Sequence, residues 1–143
     1  MEKKDLEKMD IYNLAMDLGE AVWQLVLTWD EFAQDTMSRP YVQNVDAIAS
    51  NIASGYGRQS PNEKRNYTVF ARSAALSTKV WLEKAYRRGL VEEETYQHIK
   101  GMNEKMIGKL YGYVNFLEEK GGATPVQSIR RKQKLKKTKQ ETT

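Results

Sequence analysis

The spacing of the apolar residues is the strongest constraint on what this chain can fold into. Along most of the sequence they recur every three or four positions, which places their side chains on one face of an α-helix, and no stretch alternates as a half-buried strand does. The sequence predicts four amphipathic helices, defined in turn by Leu14, Leu18, Ala21, Leu25, Trp29 and Phe32; by Tyr41, Val45, Ile48, Ile52 and Tyr56; by Tyr67, Phe70, Ala74, Thr78, Trp81 and Ala85; and by Tyr96, Ile99, Asn103, Met106, Leu110, Tyr113 and Leu117.

The residues between these segments predict where the first two helices begin and end. We expect the first helix to run from Asp5 to about residue 36. The second should begin at Ser38-Arg39-Pro40, because proline is tolerated in the first turn of a helix. It should end at Gly55 and Gly57, since each glycine lowers helix propensity by about 1 kcal/mol relative to alanine and can adopt a positive φ.

The third and fourth helices have clearer boundaries. Ser60, Pro61 and Glu63 are spaced as in a helix start, with Ser60 as the N-cap and Glu63 closing a capping box. The third helix should end at Arg87-Arg88-Gly89, where cations in the last turn precede a glycine. The fourth should run from about residue 92 to Gly121-Gly122.

Short connections between long helices favour antiparallel neighbours. The predicted fold class is therefore all-α, an antiparallel up-down-up-down four-helix bundle over residues 1–125. A chain of 143 residues is long enough to build one such domain with its own core. Residues 126–143 contain almost no large apolar side chains, and we predict that they form a disordered basic tail.

The positive charge of the chain is concentrated in this tail. The whole chain has a net charge of +4, but the tail alone carries +6, so residues 1–125 carry −2. A dense run of cations predicts salt-sensitive binding to nucleic acid, and it is equally typical of an end that only keeps a protein soluble. The tail cations are Arg130, Arg131, Lys132, Lys134, Lys136, Lys137 and Lys139.

Composition excludes several classes of site and location. The chain has no cysteine, which excludes disulfides, thiolate metal sites and cysteine nucleophiles. No apolar run approaches the length of a membrane span, and the N-terminus lacks the apolar stretch of a signal peptide. We expect a cytoplasmic protein with no membrane partner.

The residues that catalysis would need are scarce. The single histidine, His98, has polar neighbours and is expected on the surface. Glu94 and His98 are four residues apart and the pair is not repeated, whereas a di-iron bundle needs Glu-x-x-His on two helices. The sequence predicts no enzymatic activity, no cofactor and no metal.

Gly55-Tyr56-Gly57-Arg58 has the glycines of a phosphate-binding loop but not its context. No strand precedes it, and it lacks both the third glycine of the dinucleotide fingerprint and the Gly-Lys-Ser/Thr ending of a nucleotide loop. A helix end followed by a linker is the favoured interpretation. The N–H groups that start the third helix, with Arg58 and Arg65 nearby, remain a hypothetical anion site.

Two further patterns on the last two helices have open interpretations. Arg65, Arg72 and Lys79 lie seven residues apart on one face, which a nucleic-acid backbone could follow or which is an ordinary solvated face. Gly108 and Gly112, with Gly101 one heptad earlier, indicate close helix packing, either within the bundle or between subunits.

The order and spacing of residues in the second and third helices resemble a known bacterial family. Over about residues 6–117 the chain is similar to the four-helix-bundle proteins encoded in intervening sequences of bacterial 23S ribosomal RNA genes. The resemblance is carried by Asp46-Ala47-Ile48, Asn51-Ile52-Ala53-Ser54-Gly55-Tyr56-Gly57-Arg58, Ala71-Arg72-Ser73-Ala74, Ser77-Thr78-Lys79, Trp81-Leu82-Glu83-Lys84-Ala85 and Arg88-Gly89-Leu90.

The resemblance also identifies family-motif polar positions, which are Asp46, Asn51, Ser54 and Ser77 in this chain. Family members usually carry glutamate at the positions of Ser54 and Ser77. If these positions form a binding surface, this chain binds something different or nothing. If they form an internal hydrogen-bond network, losing both glutamates together is a compensated change, because an unpaired buried carboxylate is costly.

The resemblance implies assembly rather than catalysis. Related proteins form ring-like homopentamers, and a distant relative is an accessory subunit that binds nucleic acid and a reverse transcriptase. We therefore expect a non-enzymatic homo-oligomer, a pentamer, that binds RNA or DNA through Arg58, Arg65, Arg72, Lys79 and the tail cations. The alternative is a protein–protein interaction scaffold whose tail keeps it soluble.

Overall fold

The fold is a bundle of four long helices, seen in a computed structural model that describes residues 6–121. The helices are α1 (Asp10–Val26), α2 (Arg39–Tyr56), α3 (Pro61–Arg87) and α4 (Glu93–Gly121), and this part of the chain contains no strand. Each helix packs on the one before it, and α4 also packs on α1. The predicted all-α four-helix bundle is confirmed.

The first helix is shorter than predicted. It ends at Val26, where the N–H groups of Thr28 and Trp29 turn back to the carbonyls of Leu25 and Val26 at 3.0 and 3.1 Å. Asp30 then starts a new helical segment as an N-cap, because its Oδ1 accepts a hydrogen bond from the Ala33 N–H at 2.8 Å. The prediction that the first helix extends to residue 36 was wrong. The apolar pattern continues across the Asp30 cap, so the pattern alone does not show the break.

The new segment runs into α2 without a break at Pro40. A short α-helical turn, Glu31–Ala33, is followed by a π-helical turn, Gln34–Ser38, and then by α2. The Ser38 hydroxyl donates a hydrogen bond to the Gln34 carbonyl. Pro40 lies in the first turn of α2, as predicted, but Ser38-Arg39-Pro40 does not interrupt the helix. The wider turn before it accommodates a residue that has no N–H to donate.

The end of α2 lies where the two glycines predicted it, but no positive φ is involved. The helix ends at Tyr56, and its C-cap, Gly57, has a φ of −74°. Gly55 is buried within α2, and a Cβ added to it would lie 2.9 Å from the Cβ of Tyr67 on α3. Gly55 thus allows α2 and α3 to approach closely.

The two ends of α3 follow the sequence signals. Ser60 is the N-cap, and its hydroxyl accepts from the Glu63 N–H at 3.5 Å. At the other end Gly89 has a φ of 72°. The N–H groups of Gly89 and Leu90 bond to the carbonyls of Tyr86 and Ala85 at 3.1 and 2.9 Å, which is a Schellman motif.

The core lies between the four helices and is closed on the α3 side by small residues. Phe70, predicted to face the core, is 56% exposed, because the buried stripe of α3 runs one position away from it. That stripe is Thr68, Ala71, Ala74, Ala75, Thr78, Leu82 and Ala85. The largest fully buried side chains of the bundle are Tyr41, Leu18, Ile48, Leu82, Ile99, Met106 and Leu110.

Candidate nucleic-acid interface

The three predicted cations of α3 lie in one row along its seam with α4. Arg65 Nε lies 2.9 Å from Glu118 Oε1, and Lys79 Nζ lies 3.9 Å from Glu104 Oε1. Between them, the guanidinium carbon of Arg72 lies 4.4 Å from the centroid of the Tyr111 ring. We call these six residues the α3–α4 seam. Seven residues are close to two helical turns, so heptad-spaced residues stay on one face, and antiparallel packing pairs the two rows in opposite order.

The three contacts differ in how far they neutralise the cation. The Arg65–Glu118 pair is partly buried, with side chains 25% and 19% exposed, and Arg65 also donates to Asn66. The Lys79–Glu104 pair is long and its side chains are 43% and 51% exposed, so solvent screens it. Arg72 lies on an aromatic face instead of a carboxylate and keeps its full charge. Arg72 and Lys79 are therefore the seam cations best placed for an external phosphate.

Arg58 lies apart from this row. Its Nη2 donates to the Tyr67 hydroxyl at 2.8 Å, and its guanidinium carbon lies 5.1 Å from the centre of that ring. Tyr67 is on the α2 side of α3, where its Cβ approaches Gly55. The structure thus brings together three of the four predicted cations of the bundle and places Arg58 on the opposite flank of α3.

The start of α3 has the features of a capped helix end. Ser60 caps the Glu63 N–H, and Lys64 Nζ donates to the Tyr56 carbonyl at 3.0 Å across the linker. Arg65 points to Glu118 on α4. These contacts favour the interpretation of the Gly55–Arg58 stretch as a helix end with a linker.

Large apolar side chains are exposed on α3 and α4, and some of them lie next to the seam. Leu76 on α3 and Tyr111 on α4 lie beside it, and Val80 is exposed on α3. Phe70 lies on the α2 flank of α3, and Phe116 on the α1 flank of α4. Phe70 makes an edge contact with Tyr67, and Tyr113 stacks on Phe116 with centroids 6.2 Å apart. The sequence analysis missed the exposure of Phe70 and Tyr111, because it assigned Phe70 to the core and did not consider Tyr111. The heptad spacing of Glu104, Tyr111 and Glu118 was the available signal for the α4 side of the seam.

The glycine positions of α4 also face outward. Gly101, Gly108 and Gly112 are exposed, and a Cβ added to any of them would have no neighbour within 4 Å. Close packing within the bundle, one of the two interpretations of this pattern, is therefore wrong. Packing between subunits stays a prediction.

The family-motif polar positions lie on the surface of the bundle. Ser54 and Ser77 are exposed, and the Asn51 amide donates to the Ala47 carbonyl of its own helix at 2.8 Å. Asp46 is exposed as well, yet its Oδ1 would lie only 3.1 Å from a Cβ added to Gly19 of α1. Partial burial against α1, together with the Glu20 carboxylate, raises the pKa of Asp46. Both serines face solvent, which argues against an internal network at these positions.

The remaining predicted residues fall into two groups. The tail cations Arg130, Arg131, Lys132, Lys134, Lys136 and Lys137 lie outside the described residues. His98 is exposed, as expected. Within residues 6–121, no group of histidine and carboxylate side chains has an arrangement that could hold a metal ion. None of the helices in that range combines the length and the apolar character needed to cross a membrane.

The profile of the 23S rRNA-intervening sequence protein family matches residues 7–112. The chain belongs to this family. The match covers the whole of α1, α2 and α3 and most of α4, including the residues on which the resemblance rested. Seam residues 65, 72, 79, 104 and 111 fall within the matched range, and Glu118 lies beyond it.

A solved structure also resembles this member of the 23S rRNA-intervening sequence protein family. It is a Bacteroides thetaiotaomicron protein described as having unknown function and belonging to the S23 ribosomal protein family. The two chains superpose with a TM-score of 0.65 at 19% sequence identity, covering 73% of this chain and 97% of the other. At that identity the likeness supports the fold alone. No curated protein matches the sequence.

Proposed function

We propose that this protein is a non-enzymatic, oligomeric accessory factor that binds RNA or DNA through surface cations. The observation that carries the proposal is the row of Arg65, Arg72 and Lys79 on the α3–α4 seam. From Arg65 to Lys79 the row covers fourteen residues of helix, or about 21 Å. A phosphate backbone laid along α3 would meet the three cations in succession.

An exposed aromatic side chain within the seam suits a single strand. Tyr111 is 46% exposed, with Arg72 on one face of its ring. Unstacked bases gain about 1–3 kcal/mol from stacking on such rings, with little dependence on sequence. Cations along the backbone and an aromatic ring for a base together favour sequence-indifferent binding of single-stranded nucleic acid.

The basic tail would add electrostatic affinity of the same kind. Its net charge of +6 lies within 18 residues, and each cation that engages a phosphate releases counterions. We expect the seam to orient the nucleic-acid strand and the tail to increase the affinity of the protein for it.

The test is the salt dependence of binding to a single-stranded RNA of mixed sequence. The full chain is compared with Arg72→Gln/Lys79→Gln, which leaves the partly buried Arg65–Glu118 pair intact. The slope of log K against log salt should fall by about 1.4, since each lost phosphate contact on a single strand accounts for about 0.7.

The matched control is Lys105→Gln/Lys109→Gln, which removes the same charge from α4; Lys109 faces α1 in a surface depression. This variant should bind with a nearly unchanged slope. Equal losses in both double variants would assign binding to net charge instead of the seam. Failure of the full chain to bind RNA at low salt would overturn the proposal, and a full-length chain with its tail cations changed to Gln would measure the share of the tail.

The second candidate is a homo-oligomeric protein–protein interaction scaffold. The exposed apolar side chains Phe70, Leu76 and Val80 on α3 and the open glycine positions of α4 favour it. Such a surface is unusual on a monomer unless it binds something. In this candidate the seam cations are structural contacts and the tail only keeps the protein soluble.

A further inference from the structure

A groove between α1 and α2, on a different face from the seam, combines an apolar floor with two carboxylates. It encloses about 310 Å³. Ala15 and Ala49 contribute to its floor, and Glu20 and Asp46 contribute the carboxylates. We call it the α1–α2 groove. Gly19 lets Asp46 come close to α1, because a Cβ there would lie 3.1 Å from Asp46 Oδ1.

The groove lies in the most acidic part of the chain. Residues 10–38 contain Asp10, Asp17, Glu20, Asp30, Glu31 and Asp35 and no lysine, arginine or histidine, which gives this segment a charge of −6. Asp46 adds one more negative charge from α2. Its pKa is raised by partial burial and by the Glu20 carboxylate, so the two acids repel each other without a cation between them.

Two carboxylates beside an apolar floor would favour binding of a cationic group that is carried on an apolar stem. Lysine and arginine side chains lay their methylene groups on apolar surface while the charged head reaches a polar partner. A groove floored by alanines, with carboxylates at its edge, matches that division along one side chain. A nucleic-acid backbone, by contrast, would be repelled.

We propose that the α1–α2 groove binds the basic C-terminal segment of the same chain, residues 126–143, through a lysine or arginine side chain inserted between Glu20 and Asp46. The segment carries +6, and the nine residues that line the groove include two carboxylates and no lysine or arginine. This inference concerns a surface separate from the seam and does not depend on nucleic-acid binding.

The segment is long enough to reach the groove. The second half of α4 lies beside the start of α1, since Lys109, Gly112 and Phe116 share a surface depression with Met9, Asp10 and Ile11. The groove opens on the far side of α1, one helix diameter away, or about 10 Å. Nine residues lead from Gly121 to Arg130, and they span up to about 30 Å when extended.

If the segment docks in the groove, the groove and nucleic acid compete for the same cations of the segment. Its cations would neutralise the acidic face of α1 when no other anion is present, and nucleic acid would have to compete for them. We expect Glu20→Gln/Asp46→Asn to strengthen RNA binding by releasing the segment.

The test is paramagnetic relaxation in the full chain. The chain has no cysteine, so Ser128→Cys gives a single nitroxide attachment point. At low salt the label should selectively broaden amide signals of residues 12–20 and 46–53. The broadening should vanish in 1 M salt, where the Debye length is about 3 Å. Broadening spread evenly over the bundle, or none in these two ranges, would overturn the proposal.

Two further samples separate the groove from general electrostatics. Glu20→Gln/Asp46→Asn should abolish the selective broadening. The control Glu92→Gln/Glu119→Gln removes the same charge from exposed positions, one just before α4 and one in its last turn, and should preserve the broadening. If both double variants lose the broadening equally, net charge is the cause and the groove is not the site. Mixing isotope-labelled chains with nitroxide-labelled chains should give no selective broadening of residues 12–20 and 46–53, and selective broadening of those residues would show docking between copies instead.

Discussion

At the scale of single residues, two polar side chains in the core are buried without all the hydrogen bonds that their atoms could make. Tyr41 is fully buried and stacks on Trp29 with centroids 6.2 Å apart, but its hydroxyl has no hydrogen-bond partner among residues 6–121. Burial raises the pKa of this phenol, so it stays protonated. Asn103 is satisfied on one side only, where Nδ2 donates to the Ala75 carbonyl at 3.0 Å.

Removing the Tyr41 hydroxyl should therefore stabilise the protein. Tyr41→Phe keeps the ring against Trp29 and removes a desolvated group with no partner, so the free energy of unfolding should rise by about 1 kcal/mol. Urea denaturation followed by circular dichroism measures it. Tyr96→Phe is the matched control and should be destabilising, because the Tyr96 hydroxyl donates to Glu83. A loss of stability in Tyr41→Phe would show that a partner such as a buried water satisfies the hydroxyl.

At the scale of helices, glycines that look alike in the sequence have opposite surroundings. Gly55 is buried where α2 meets Tyr67, whereas Gly112 is exposed on α4 and a Cβ added to it would have no neighbour within 4 Å. Gly112→Ala should stabilise the bundle by about 0.5–1 kcal/mol through lower backbone entropy in the unfolded state. Gly55→Ala should destabilise it, because the new Cβ would lie 2.9 Å from the Cβ of Tyr67.

The test compares the melting temperatures of the two alanine variants and the unmodified chain, measured by thermal unfolding under identical conditions. A melting temperature that falls in Gly112→Ala would mean that a second chain packs against that position. Unchanged stability in Gly55→Ala would mean that α2 and α3 separate at little cost, and would contradict the close approach described above.

The helices show why some boundaries could be predicted and others could not. The ends of α3 are specified locally, by Ser60 at one end and Gly89 at the other, so the sequence was enough. The end of α1 was missed because Trp29, which is buried, continues the apolar pattern past the break, and only Asp30 indicates a new helix start. Phe70 was misassigned because the spacing of apolar residues shows that α3 has a buried face but does not show on which residues that face is centred. Packing against the neighbouring helices centres it on smaller residues and leaves Phe70 exposed.

At the scale of the whole molecule, charge is divided between faces. The segment containing α1 is acidic, and the seam cations lie on α3. The sequence placed Arg65, Arg72 and Lys79 on one face correctly, but their partners on α4 depend on the register between two helices, which no local signal specifies. The Glu20–Asp46 pair was missed for the same reason.

The exposed apolar residues of α3 lead to an expectation about assembly. We expect the 16.5 kDa chain to form a pentamer, and Val80→Glu on the exposed face of α3 to lower the mass measured by light scattering. Charge buried in an interface without a partner is costly. Leu27→Glu, which alters an exposed apolar residue just after α1, is the matched control and should leave the mass unchanged. A monomer in the unmodified chain would remove the oligomer from both proposed functions.

The π-helical turn at Gln34–Ser38 also corrects the helical phase of the segment that leads into α2. Ala33, Met37, Tyr41 and Val45 are all buried and are four residues apart. In a regular α-helix each step of four overshoots a full turn by about 40°, so three steps would carry the line of side chains about 120° around the axis. One wider turn delays that rotation. Deleting a single residue there would leave eleven residue steps between Ala33 and Val45, which in a regular α-helix end only about 20° from a whole number of turns. The π-helical turn therefore accommodates one extra residue while the side chains on both sides of it stay on the buried face.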